Sequence, residues 1–163
     1  MQKLIKTLCV RFISQKPEFL KDEIRLSLKE LGEFSGVDRT YIFSYDFTKD
    51  TQTNTFEWCA KSISSIKENL IDIQNALTPE LTALHKQGEI CYISDVSSLD
   101  DNSTLKKLLV KESVKSLITI PLCFENTCFG YVGFDSVKKQ RLWDEEEISA
   151  LKLFADLLVN VQI

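Results

Sequence analysis

Apolar positions along this chain switch between helical and strand periods, and each switch marks a new element. Leu4, Ile5, Leu8 and Phe12 fall at helical spacing, which predicts a first helix over residues 2–14. Pro17 suits the first turn of a second helix, Phe19, Leu20, Ile24, Leu28 and Leu31 form its apolar face, and Gly32 or Gly36 marks its exit. Thr40 to Tyr45 and Thr53 to Ala60 are rich in aromatic and β-branched residues. They read as two strands around the polar turn 46–50, the second carrying Phe56 and Trp58 on one face. Between Lys61 and Thr78 the apolar residues keep 3-4-3-4 spacing, but those between them are moderate helix formers. One or two short helical turns in a loop-rich cover are expected there.

Thr78 and Pro79 predict the cap and first residue of a helix that ends at Gly88. Ile90 to Ile93 reads as a short strand, and Ser103 as the cap of a helix running to about Ser113. Ser116 to Phe124 and Thr127 to Phe134 form a hairpin around Glu125-Asn126. Asp144 with Glu147 three residues on resembles a capping box for a last helix. The order ααββ(α)β(α)ββα, with hairpins instead of regular βαβ units, predicts an α+β domain built on an antiparallel sheet.

Composition narrows the partners more than the fold. The 163 residues carry 20 Lys+Arg against 24 Asp+Glu, a net charge of −4 with no basic cluster, so nucleic acid is not expected as a partner. The longest mostly apolar run, Leu117 to Phe124, is too short to cross a bilayer, and no membrane insertion is expected. One histidine, His85, excludes a two-His metal site within a chain, and no metal is expected. Five cysteines is an odd number without paired spacing, and Lys6 and Arg11 interrupt any signal-peptide layout. Reduced thiols in a cytoplasmic protein are the expectation.

Four ordered blocks carry a family resemblance. They are Gly36-Val37-Asp38-Arg39-Thr40-Tyr41-Ile42-Phe43, Asn54-Thr55-Phe56-Glu57-Trp58-Cys59-Ala60, Ser116-Leu117-Ile118-Thr119-Ile120-Pro121-Leu122, and Phe129-Gly130-Tyr131-Val132-Gly133-Phe134-Asp135-Ser136 followed by Trp143 and Glu145-Glu146-Glu147-Ile148. Together they resemble the GAF domains of bacterial sensor histidine kinases and of diguanylate cyclase or phosphodiesterase proteins. The resemblance implies a profilin- or PAS-like α+β fold. Terminal helices cover one face of a central antiparallel sheet, and loops and short helices cover a pocket on the other. It divides the chain into an N-terminal signalling and dimerisation helix (1–16) and a GAF domain (17–163) whose last helix leads toward an output domain. The implied function is sensory and non-catalytic, in a homodimer that binds an unidentified small molecule.

In that pocket the resemblance implies Phe43, Trp58, Ile93, Asp95, Leu108 and Thr119 as ligand contacts. Trp58 reads alternatively as a core aromatic, and Asp95 as a turn or capping residue. Of the Asn-Lys-x(n)-Phe-x3-Asp-Glu constellation of cyclic-nucleotide-binding relatives only Phe134-Asp135 is present. Asp135 is expected in an ion pair or turn bond, with Arg141 a candidate partner. None of Cys9, Cys59, Cys91, Cys123 and Cys128 precedes a histidine, as the attachment cysteine of bilin-binding relatives usually does. His85 suits a helix C-terminus. No cofactor is therefore expected, with haem and bilin set aside.

If Glu125-Asn126 is a two-residue turn, Cys123 faces Cys128 within disulfide range, although Glu disfavours the positive φ such a turn requires. A thiol-dependent enzyme resembling free methionine sulfoxide reductase therefore stays open, as does a ligand-free dimerisation module. In the last helix Ile148, Leu151, Ala155, Leu158 and Gln162 form one stripe, with Leu153 and Leu157 on a neighbouring face. The expected dimer interface is Ile5, Leu8, Phe12, Leu151, Ala155 and Leu158.

Overall fold

The computed structural model describes residues 1–161; Gln162, the last position of the stripe in the final helix, lies outside them. The helices are α1 (Gln2–Ser14), α2 (Leu20–Ser35), α3 (Pro79–Lys86), α4 (Thr104–Lys111) and α5 (Glu145–Asn160). The strands are β1 (Arg39–Asp46), β2 (Thr51–Cys59), β3 (Ile73–Gln74), β4 (Cys91–Ile93), β5 (Ser116–Phe124) and β6 (Thr127–Ser136). They form one sheet of order β3-β2-β1-β6-β5-β4 in which every neighbouring pair is antiparallel. The expected α+β architecture is present.

Local chemistry sets most boundaries. Gly36 ends α2 at φ 65°, a left-handed position that suits a residue without Cβ. Ser103 accepts from Lys106 N at 3.2 Å to start α4. Asp144 and Glu147 make both halves of a capping box at the start of α5, at 2.8 and 3.1 Å. Thr78 is a correction. It occupies the capping position of α3 but makes no capping bond, because its hydroxyl accepts instead from Gln52 Nε2 on β2 at 2.7 Å. The cover from 61 to 78 holds 3-10 turns at Lys67–Asn69 and Asn75–Leu77, as expected, and adds the edge strand β3.

The sheet divides the core in two. Ile42, Ile118, Ile120, Leu122, Val132 and Phe134 face α1, α2 and α5, while Tyr41, Phe43, Leu117 and Tyr131 face α3, α4 and the cover. A bulge in β2 decides which residues go where. Ile42 pairs with Phe56 but Phe43 pairs with Asn54, which leaves Thr55 as the extra residue, its hydroxyl donating to the Ile42 carbonyl at 3.0 Å. Simple alternation would put Trp58 and Gln52 on one face. The bulge instead sends Trp58 and Phe56 toward the helices and Gln52 toward α3.

The six side chains expected at a dimer interface require correction. Ile5, Leu8, Phe12, Leu151, Ala155 and Leu158 are 0–4% exposed within the single chain. Their stripes face the sheet and each other, so they build the chain's own core and are not free to meet a partner.

Gly32 permits the close approach of α2 to the sheet, since a Cβ there would stand 2.2 Å from a ring carbon of Trp58. Helix propensity alone would favour Gly32→Ala by about 1 kcal/mol. The clash reverses that sign: Gly32→Ala should lower the urea midpoint, and pairing it with Trp58→Leu should restore most of the loss. If Gly32→Ala alone is stabilising, the close contact is not present in solution.

Candidate functional site

Beneath α3, α4 and the cover the second sheet face forms a cavity of about 40 Å³. Its base is aromatic: Phe43 and Tyr131 stack at 4.9 Å, and Tyr41 meets Phe43 edge-on at 5.5 Å. Leu81 of α3, Leu105, Leu108 and Leu109 of α4, and Ile66, Leu70 and Ile73 of the cover complete an apolar lining. Polar atoms at its edge are joined to one another. Tyr131 OH donates to Gln52 Oε1 at 2.7 Å, and Gln52 Nε2 donates to Thr78.

His85 holds α3 to this face. It is fully buried, with Nδ1 2.8 Å from Tyr45 OH and Nε2 2.9 Å from Thr119 Oγ1, so both ring nitrogens have partners. Burial drives its pKa down to about 3, and the ring is neutral at physiological pH. This places His85 in a core network rather than at a simple helix end, and no helix-level pattern reveals it because its partners lie on β1 and β5.

At the opposite end of the cavity stands Glu112, the one carboxyl in the lining among the described residues. Burial pushes its pKa up to about 8, helped by the neighbouring Asp135 carboxyl. Asp135 is itself buried and raised to about 7 by desolvation, against the lowering effects of the Tyr41 hydroxyl, which donates to it at 2.7 Å, and of Arg39. Arg39 faces Asp135 at 3.8 Å, while its Nε and Nη2 donate to the carbonyls of Ser64 and Glu112 at 3.2 and 3.1 Å. Asp135 therefore has Arg39 as its partner. Arg141, the partner considered from sequence, pairs with Glu147 instead.

The sequence of the GAF domain family matches residues 20–161. The chain belongs to the GAF family. A methanogenesis regulatory histidine kinase, FilI of Methanothrix harundinacea, is 25% identical over 134 residues, covering 78% of this chain and 15% of that protein. Among solved structures, a far-red absorbing dark state with bound biliverdin IXa superposes with a TM-score of 0.81 at 14% identity, covering 97% of this chain and 96% of the other. The phycoerythrobilin-bound GAF domain of a cyanobacterial phytochrome gives 0.79 at 17% identity, covering 98% and 92%.

These GAF structures correct the expectation of no cofactor with bilins set aside. The same fold is solved with biliverdin and with phycoerythrobilin bound. This cavity as it stands is too small for a tetrapyrrole: about 40 Å³ accommodates a few water molecules. A ligand of that size requires the cover to move.

Of the ligand contacts expected from sequence, Phe43, Leu108 and Thr119 line the GAF cavity and three others do not. Trp58 lies on the helix face against Gly32. Ile93 is half-buried behind the lining, because β4 is the sheet's far edge. Asp95 is half-buried outside the cavity and caps a 3-10 turn by accepting from Ser97 N at 2.9 Å. Tyr41, Tyr131, Gln52 and Glu112 were missed. Period-2 alternation sorts the residues of each strand into two faces but carries no sign of which face holds the cavity.

The titrating groups act on stability with opposite signs. His85 has a folded pKa of about 3, below the 6.5 of the free side chain, so its contribution is complete above about pH 6.5 and is lost as pH falls toward 3. Glu112 and Asp135 are raised to about 8 and 7 from 4.5 and 3.8, so the folded state holds their protons and stability falls as pH rises through that interval. Glu112→Gln should therefore gain in melting temperature over the wild type as the buffer is moved from about pH 5 to about pH 8. A difference that does not change across that range would show that the Glu112 carboxyl is not held protonated.

Proposed function

We propose that this GAF domain is the sensory module of a signalling protein and acts by binding, not by catalysis. A small, largely apolar molecule enters between the aromatic base and the cover and changes how the terminal helices sit on the opposite face of the sheet. The observation that supports this most directly is the largely apolar cavity on the face away from α1, α2 and α5. The kinase relative supports an attached output domain, because this chain spans only 15% of that protein's length. The bilin-bound structures of the same fold support a ligand on this face, and a bilin is one ligand class to test.

Native mass spectrometry of freshly purified protein, with an absorption spectrum from the same sample, tests the binding. A bound small molecule is expected on the freshly purified wild type, and a visible band after incubation with biliverdin would show that the cover opens for a tetrapyrrole. Leu108→Trp, which fills the cavity, should lose it. Retention of the bound mass in Leu108→Trp would move the site elsewhere.

The self-pairing surface is the stripe that the core leaves outside. Val10 and Ile13 on α1 are 67% and 83% exposed, and Leu153 on α5 is 54% exposed, an apolar set that a second copy would cover. The double variant Ile13→Glu, Leu153→Glu should sediment as a folded monomer, whereas Leu158→Glu should unfold the chain. Dimers that persist in the first variant would exclude this surface.

A further inference from the structure

The tip of the β5–β6 hairpin presents two thiols in facing positions. Glu125 and Asn126 have φ of 47° and 63°, so both central residues of the turn lie in the left-handed region despite the glutamate. Phe124 then pairs with Thr127 and Cys123 with Cys128. The register shifts only beyond them, where Leu122 pairs with Gly130 and Phe129 is the extra residue of a bulge. In a two-residue hairpin this second pair is non-hydrogen-bonded, with Cα atoms about 4.5 Å apart and side chains on one face. That separation lies inside the range of about 4.4–6.8 Å which a disulfide spans.

The two thiols differ in access and are weakly held. Cys123 is half-buried, whereas Cys128 is 5% exposed. Cys123 Sγ donates to the His85 carbonyl at 3.9 Å and Cys128 Sγ to the Gly130 carbonyl at 3.2 Å. An S–H group is a weak donor, so replacing both bonds by one S–S bond gives up little. Burial, with the adjacent Cys123 thiol contributing, pushes Cys128 up to about 12. Cys128 is thus a poor first nucleophile toward anything in solution.

We propose that Cys123 and Cys128 form a reversible disulfide by exchange with a small disulfide of the glutathione type, Cys123 reacting first. The Cys123 thiolate attacks one sulfur of the oxidised compound, forming a mixed disulfide and releasing one thiolate of the reagent. Cys128 then attacks Cys123 Sγ, breaks the mixed disulfide and releases the second thiolate. The two protein thiols lose two protons and two electrons, and two molecules of reduced thiol form. Cys123 gives up its bond to the His85 carbonyl in the process. Oxidation thereby alters the contact between the hairpin and α3, whose His85 ring is bonded to Tyr45 and Thr119.

The test uses the whole chain and oxidised glutathione, followed by alkylation and trypsin without reduction. Ser116 to Lys138 contains no internal lysine or arginine and carries both cysteines. That peptide should appear lighter by two hydrogens and unalkylated, and dithiothreitol should restore double alkylation. In Cys128→Ala, Cys123 should retain one glutathione; in Cys123→Ser, Cys128 should retain none. Double alkylation of the oxidised wild type, or glutathione stably held at Cys123 while Cys128 is present, would overturn the pair. Glutathione on Cys128 in the Cys123→Ser variant would overturn the order of attack.

Discussion

One buried cation organises the side of the molecule that holds the cavity. Arg39 opens β1, between β2 and β6 at the middle of the sheet, and is 3% exposed. A charge at that depth is costly unless acceptors from the surrounding chain are brought to it. Arg39 therefore constrains three separate segments to return to the same point: β6 through Asp135, the cover through the Ser64 carbonyl, and the end of α4 through the Glu112 carbonyl. Asp135 also receives the hydroxyl of Tyr41, part of the cavity's base. Base, cover and roof thus share one electrostatic node.

The same strand links the two faces of the sheet. Successive residues of β1 alternate, so that Tyr41 and Phe43 form the cavity base while Thr40 and Ile42 face the helices. Thr40 is tied to α2, its hydroxyl donating to the Leu28 carbonyl at 2.9 Å. Interiors packed at crystal density do not absorb such shifts locally. A displacement of Tyr41 normal to the sheet must therefore appear at α2, one residue away along the strand. β1 thus joins the cavity face and the helix face of the sheet through adjacent residues of one strand.

What was legible in the sequence follows the range of the interactions. The stop at Gly36, the start at Ser103 and the capping box at Asp144 depend on neighbours within a few residues, and they stand where expected. Thr78 carries the same local signal, but its hydroxyl is taken by Gln52, 26 residues earlier. Trp58 was expected at the pocket, with a core aromatic as the alternative, and the bulge in β2 puts it against the helix-face core. Alternation is reliable until a bulge breaks it, and nothing in the run Asn54-Thr55-Phe56 marks Thr55 as the extra residue. His85 was read from its own helix, while its character comes from Tyr45 and Thr119 on two strands. The stripes of α1 and α5 were correctly seen as apolar. Their assignment to a partner failed because periodicity reports that a face is buried, not what buries it.

The two sides of the cavity are held by interactions of different strength. The α3 side is held by a fully buried histidine with two hydrogen bonds and by Leu81, 3% exposed, so lifting that helix exposes polar and apolar groups together. The cover is held differently. Asn54 N donates to the Leu70 carbonyl at 2.8 Å, Ile66 N to Glu57 at 3.2 Å, and Asp72 N to the Thr53 hydroxyl at 2.9 Å, all along β2 near the sheet's edge. Each such bond contributes only about 0.5–1.5 kcal/mol net, because water replaces the partner. Ile66 and Leu70 are the cover's buried anchors at 9% and 5% exposure, and they are the apolar contacts a ligand would replace with its own surface. Opening on this side would therefore cost less than opening at α3.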